Sequence, residues 1–471
     1  MKRVFLFAVA LSFLTSGADE LSIDRVIVRQ QWPWSTDVKV EYEISGVTDP
    51  VDICVEAWNG PERLDSPRLN ASMHGDIYNI KKGGVKSFTI DPVAAFGTSE
   101  TALSDFKVKL STVKSADGMD EVLYKIYDLK TGAREDVTRA MLLNGEKGAV
   151  SRDYSALGES FGAAPGKFST PFDDVLIWTG VTNDVKYKTT HLVMRKIPAK
   201  NATYLMGAND CQSLGKNAAN QVAHEVSFTN DYYMAVFELT EGQFLTLVTN
   251  SQYTIKSTMN YTNATDRYYR PYSARIAEDV APHVIKSGGK GWPAEGHAIA
   301  EDDNILKILR SLTGDTGFDL PTEAVWEFAC RAGSTNDLYI GMNRTDELLN
   351  MLARWKNNNG NITNPDYNCT AAEGGTAIVG SYAPNVWGLY DMYGNVSEYC
   401  LDRYIGDLSA YAGDDPWGPS AAETQKEYWF RVLRGGDCTV DYNYGQYSSY
   451  RTYGNISNNG KGGVRLCLTV Y

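Results

Sequence analysis

PNVWGLYDMYGNVSEYCLDRY, residues Pro384 to Tyr404, decides how this chain is read. Gly388 and Gly394 permit backbone angles or close approaches that a Cβ would forbid. Trp387, Leu389, Tyr390, Met392, Tyr393 and Tyr399 are too apolar for a solvated loop. A segment with both properties is expected to be buried and irregular, and buried irregular backbone needs hydrogen bonds or an ion for its carbonyls. Asp391 and Glu398, carboxylates inside this apolar run, therefore call for partners.

At 471 residues the chain exceeds one ordinary core, so two domains are expected. The 58 Asp and Glu outnumber the 45 Lys and Arg, giving a net charge of −13 without a basic block, which argues against nucleic acid or an anionic membrane as partner. Met1 to Ala18 reads as a secretory signal: Lys2 and Arg3, an apolar core from Val4 to Leu14, then the small residues Ser16 and Ala18. No later stretch holds 18 consecutive apolar residues, so an exported protein, secreted or periplasmic, without a transmembrane segment is expected. Seven cysteines form no CxxC pair, and their odd number leaves at least one outside any intrachain bridge.

Period-two alternation follows the signal, at Val38, Val40, Tyr42 and Ile44, at Val51, Ile53 and Val55, and at Phe88 and Ile90. It recurs at Phe106, Val108 and Leu110 and at Val122, Tyr124 and Ile126. Half-buried strands separated by turn-rich pieces predict an all-β sandwich of immunoglobulin or fibronectin type over residues 19–130, a spacer or adhesion module. Residues 131–185, rich in Gly, Ser, Ala and Pro, read as a linker or extended wrap, and a second domain is expected over 186–471.

The second part carries specific motifs: LVMRKIPAKNATYLMG from Leu192, HEVSFTNDYYMAVFELTEGQF from His224 and DLPTEAVWEFACRAGS from Asp319. The Pro384–Tyr404 stretch, RVLRGGDC from Arg431 and GGVRL from Gly462 complete the series. In this order they resemble the formylglycine-generating enzyme, or sulfatase-modifying factor, domain family. The resemblance spans about Thr190 to Tyr471 and implies a C-type-lectin-like α+β fold with long loops and bound calcium. The residues agree with an α+β reading: Pro321 stops a strand, Thr322 can cap the next helix, and Glu323 suits its first turn. Trp326, Phe328, Ala329 and Cys330 give that helix an apolar side.

Activity in this family rests on two cysteines after the RGGS motif that bind copper, and soft thiolates are what Cu(I) prefers. Here the segment reads RGGDCTVDYNYGQYSSYR, so the thiol positions fall at Val440 and at Gly445, or at Gln446 when aligned from Arg451. Both thiols are missing, and Cys438 stands where the family usually has an aromatic residue. Copper is therefore not expected, and a buried structural thiol is the commoner role for such a cysteine. The alternative is a formylglycine-generating oxidase with rearranged thiols, Cys438 acting with another loop cysteine. The family's iron-dependent sulfoxide synthases need clustered imidazoles, whereas His74, His191, His224, His283 and His297 are isolated.

Carried over by position, the family's calcium ligands are the side chains of Asp391 and Glu398 and the carbonyls of Gly394 and Val396. The competing reading has both carboxylates accepting backbone amides in a tight loop. Asp441, Tyr442, Asn443, Tyr444, Gln446, Tyr447, Tyr450 and Arg451 form a polar-aromatic run where the family's groove lies, suited to a peptide or glycan or to loop packing. No GxSxG or similar hydrolase motif is present. The expected function is an exported, non-catalytic or diverged member of that family, a calcium-braced binding module for a peptide or glycan.

Overall fold

The computed structural model describes residues 20–31, 34–97, 103, 105–151, 176–208, 221–249, 266–272, 305–335, 338–339, 345–358, 375–406, 412–416, 430–438, 447–455 and 462–469. The signal-like Met1 to Ala18 lies outside them. The chain divides into two units, Met1–Leu123 with Val137–Val150, and Tyr124–Asp136 with Ser151–Tyr471. No helix among the described residues is long and apolar enough to cross a membrane.

The first unit holds strands β1 (Ser22–Gln30), β2 (Val38–Ser45), β3 (Val51–Asn59), β4 (Glu62–Arg63), β5 (Met73–Gly75), β6 (Gly84–Ile90) and β7 (Phe106–Lys114). They form two sheets, ordered β1-β2-β6-β5 and β4-β3-β7. The alternation read from sequence is the burial pattern of β2, where Val38, Val40, Tyr42 and Ile44 are buried and the residues between them are half-exposed. Val40 lies opposite Val28 on β1 and Phe88 on β6. Buried residues of both sheets, among them Tyr42, Ile53, Ala57 and Ile90, form one apolar cluster. The Tyr42 hydroxyl inside it is satisfied by donating to the Asp76 carbonyl at 2.7 Å.

β8 (Val122–Asp128) and β9 (Arg134–Thr138) follow. By alternation β8 groups with the first unit's strands, but in the structure it pairs antiparallel with β10 (His191–Ile197), Ile126 opposite Val193. The physical reason is burial on both faces: Tyr124, Ile126 and Tyr127 are each at most 2% exposed. The Tyr124 ring stands 5.4 Å from Trp178, and Tyr127 stands 5.1 Å from Phe318 and donates its hydroxyl to Asp315. Part of the stretch expected as a linker is thus β9 and the buried Leu176–Trp178 segment, while residues 152–175 lie outside the described set.

The second unit continues with β11 (Thr203–Met206), β12 (His224–Ser227), β13 (Tyr232–Ala235), β14 (Phe318–Asp319), β15 (Ala353–Arg354) and β16 (Tyr393–Gly394). It ends with β17 (Glu398–Arg403), β18 (Gly413–Asp414), β19 (Phe430–Arg434), β20 (Arg451–Asn455) and β21 (Cys467–Thr469). Its main sheet has the order β14-β21-β13-β10-β8-β9 among the described residues, flanked by the small sheets β11-β12-β18, β15-β16 and β17-β19-β20.

Two helices explain their own sequence motifs. Before helix Glu241–Thr249, the Thr240 hydroxyl accepts from Gln243 N–H at 3.0 Å while the Gln243 side chain accepts from Thr240 N–H at 3.1 Å, a reciprocal capping box. The Gln243 amide also donates to the Tyr187 and His191 carbonyls, tying the helix start to β10. Helix Glu323–Arg331 is capped by Thr322, as the sequence predicts, and ends at Ala332 in the left-handed region. All nine of its residues are buried, so its polar face looks inward and must be paired within the protein.

Candidate functional site

Pro384 to Asp402 is buried without interruption. Asp391, Gly394 and Asn395 lie at φ of 56°, 72° and 57°. At Gly394 a Cβ would stand 2.1 Å from the Arg354 carbonyl oxygen, so only glycine fits. Asn385 shapes the start of the stretch: its amide nitrogen donates to the Ala329 carbonyl at 2.8 Å, and its oxygen accepts from Trp387 and Leu389 N–H. Asn395 shapes the middle, donating from its side chain to Glu238 Oε2 at 2.6 Å and accepting from Ala377 N–H at 2.8 Å.

The partners that the two carboxylates demand are specific. Glu398 receives Arg465 on both oxygens, at 3.0 Å from Nε and 2.7 Å from the terminal nitrogen, and Trp326 Nε1 on Oε2 at 2.5 Å. Arg465, fully buried, spends its remaining donors on the Ala235, Val236 and Tyr390 carbonyls, so it joins β13 to the loop. Asp391 accepts from Gly380 N–H at 2.6 Å through one oxygen, while its other oxygen is buried with no hydrogen-bond partner. Burial pushes the Asp391 carboxyl up to about 6 and carries Glu238 well above the usual range.

Glu238, Asp391 and Glu398 act on one another electrostatically around a single guanidinium, Arg465. The orphaned Asp391 oxygen is the kind of atom a cation satisfies, and it fits; Glu398 fits less well, because a guanidinium already occupies both of its oxygens. Among the described residues no three His, Cys, Asp or Glu side chains gather as a metal site, so any cation here depends on Asp391 and backbone carbonyls.

A second buried network lies beneath the RGG segment. Arg434 and Arg451 sit directly opposite each other where β19 pairs with β20, a like-charge pair that would repel. Glu323 bridges them, accepting from Arg451 at 2.7 and 2.8 Å and lying 3.3 Å from Arg434. Arg434 also donates to Glu327 and to the Ser448 and Tyr450 carbonyls, and its guanidinium covers the Trp326 ring at 5.4 Å. Glu327 is shared further with Arg331 at 2.7 Å and with the Gly207 amide at 2.8 Å. The two glutamates of the PTEAVWE motif thus fix both ends of the 435–450 segment.

Of the run expected to form a ligand groove, Asp441, Tyr442, Asn443, Tyr444 and Gln446 lie outside the described residues, as do Val440 and Gly445. Tyr447 and Arg451 are described, and both are buried. Cys438 is fully buried, its amide donating to the Asn395 carbonyl at 3.0 Å. The Cys330 thiol lies 3.7 Å from Ser448 Oγ, and burial pushes its pKa up to about 12. Burial also lifts the Cys400 and Cys467 thiols well above their usual range. Native protein treated with iodoacetamide at pH 8 is therefore expected to be alkylated at the exposed Cys54, with Cys330, Cys400, Cys438 and Cys467 modified only after unfolding, as read by peptide mass spectrometry.

A mixed sheet with short helices and a buried, loop-rich stretch braced by two ion networks defines the second unit as an α+β domain. A family model described as "Sulfatase-modifying factor enzyme 1-like domain" matches residues 196–470, and the chain belongs to this family. The mouse formylglycine-generating enzyme is 26% identical over 275 residues, 53% of this chain and 68% of that protein. The "Chaperone protein LppX" of Paenibacillus barcinonensis is 27% identical over 46% of this chain and 73% of its own length. The formylglycine-generating enzyme of Streptomyces coelicolor is 37% identical over 30% of this chain and 42% of that protein. Among solved structures, Treponema denticola variable protein 1 superposes with a TM-score of 0.42 at 20% identity, covering 60% of this chain and 96% of that one.

Proposed function

We propose that this protein is an exported, non-catalytic member of the family, a C-type-lectin-like module for a peptide or glycan carried behind a β-sandwich. The observation that carries this reading is the retained scaffold beside absent thiols. Glu323, Glu327, Arg434 and Arg451 hold both ends of the 435–450 segment, while the positions of the family's copper-binding cysteines are Val440 and Gly445 or Gln446. Relatives named as a chaperone and as protein kinases, alongside those named as formylglycine-generating enzymes, are consistent with one domain serving several functions.

Within this reading Asp391 takes a calcium ion with help from loop carbonyls, and Glu398 braces the site through Arg465. Reduced protein titrated anaerobically with Cu(I) against a chelating competitor is expected to show no tight two-thiolate binding. A stoichiometric, tightly held copper would instead favour the oxidase with rearranged thiols.

A further inference from the structure

Lys188 ends the short helical turn Val185–Lys188 and is only 9% exposed, an uncommon place for a lysine. Its backbone is pinned, because the Thr240 hydroxyl donates to the Lys188 carbonyl at 2.7 Å. Its ammonium lies 5.8 Å from the centre of the Phe237 ring. Phe237 is packed so closely on Gly380 that a Cβ there would come within 2.6 Å of the ring, and the Gly380 amide donates to Asp391. The chain of contacts therefore runs from the Lys188 ammonium across Phe237 and Gly380 to the carboxylate that carries an orphaned oxygen. Burial lowers the pKa of the Lys188 ammonium, and the Asp391 charge opposes that shift.

We infer that Lys188 is a built-in competitor for the cation at Asp391: its ammonium supplies part of the counter-charge and sets the calcium affinity of the Pro384–Tyr404 loop. This rests on the calcium reading above. A fixed positive charge close to a divalent ion raises that ion's energy, and the low-dielectric surroundings of Phe237 screen the repulsion poorly. With calcium absent, the same ammonium offsets the Asp391 charge, so the loop keeps one cation or the other.

The experiment titrates CaCl2 into chelator-treated full-length protein by calorimetry and follows the thermal midpoint in parallel. It compares wild type, Lys188→Met, Lys188→Gln and Lys188→Met with Asp391→Asn. Lys188→Met is expected to bind calcium about tenfold more tightly than wild type, with a lower midpoint without calcium and a larger rise on adding it. The double variant is expected to lose the calcium response. Lys188→Gln, purified in calcium, repeats the test should the methionine variant not fold. Equal calcium affinity in wild type and both Lys188 variants would overturn the competition while leaving the calcium reading standing. No binding by any of them would remove both.

Discussion

Replacing Glu327 with leucine is expected to destabilise the second unit by about 3–5 kcal/mol, because it takes a carboxylate from two buried guanidiniums, Arg331 and Arg434, and leaves Glu323 as the carboxylate beside Arg434. Glu327 is 1% exposed and accepts from Arg331, Arg434 and the Gly207 amide, so its loss removes an acceptor from two cations and one amide together. Arg434 cannot turn to solvent, since it is fully buried between the Trp326 ring and the Ser448 and Tyr450 carbonyls. Urea unfolding of the variant and wild type measures the loss. A change below about 1 kcal/mol, the range of an exposed ion pair, would contradict a buried clamp. Glu327→Gln, which keeps an acceptor but removes the charge, is expected to fall between the two.

The second large effect is expected at Arg465. Arg465→Leu strips Glu398 of its bidentate partner, takes from the Ala235 and Tyr390 carbonyls the guanidinium that donates to them and leaves the Val236 carbonyl with the Tyr390 N–H, again at a cost of about 3–5 kcal/mol. Because the residues are in contact, adding Glu398→Gln is expected to recover part of that loss, with a coupling of about 1–3 kcal/mol in a double-mutant cycle. Strict additivity would show that the pair does not act as a unit.

The strands of the first unit were legible because half-buried strands write their alternation into the sequence: Val38, Val40, Tyr42 and Ile44 are buried, with half-exposed residues between them. The same pattern is ambiguous at Tyr124 and Ile126, where Tyr127 is buried as well and the strand belongs to the sheet of the second unit. In the Pro384–Tyr404 loop the need for partners at Asp391 and Glu398 could be read from two carboxylates in an apolar run, but the partners could not. Arg465 is 67 residues from Glu398, and Glu238 is 157 residues from Asn395, distances over which spacing carries no register. Lys188 gave no signal either, since only the fold places it beside Phe237. The PTEAVWE motif had a visible local meaning in its Thr322 cap, whereas its larger role, gripping Arg434 and Arg451, depends on the pairing of β19 with β20.

That scaffold and the missing thiols at Val440 and Gly445 or Gln446 lead to one decisive assay. Copper-treated full-length protein is incubated with oxygen and a peptide carrying the CxPxR sulfatase sequence, and the peptide is read by mass spectrometry for conversion of its cysteine to the aldehyde. No conversion above the protein-free control is expected. Formation of formylglycine that disappears in Cys438→Ser would contradict the non-catalytic assignment and place an oxidase at this site.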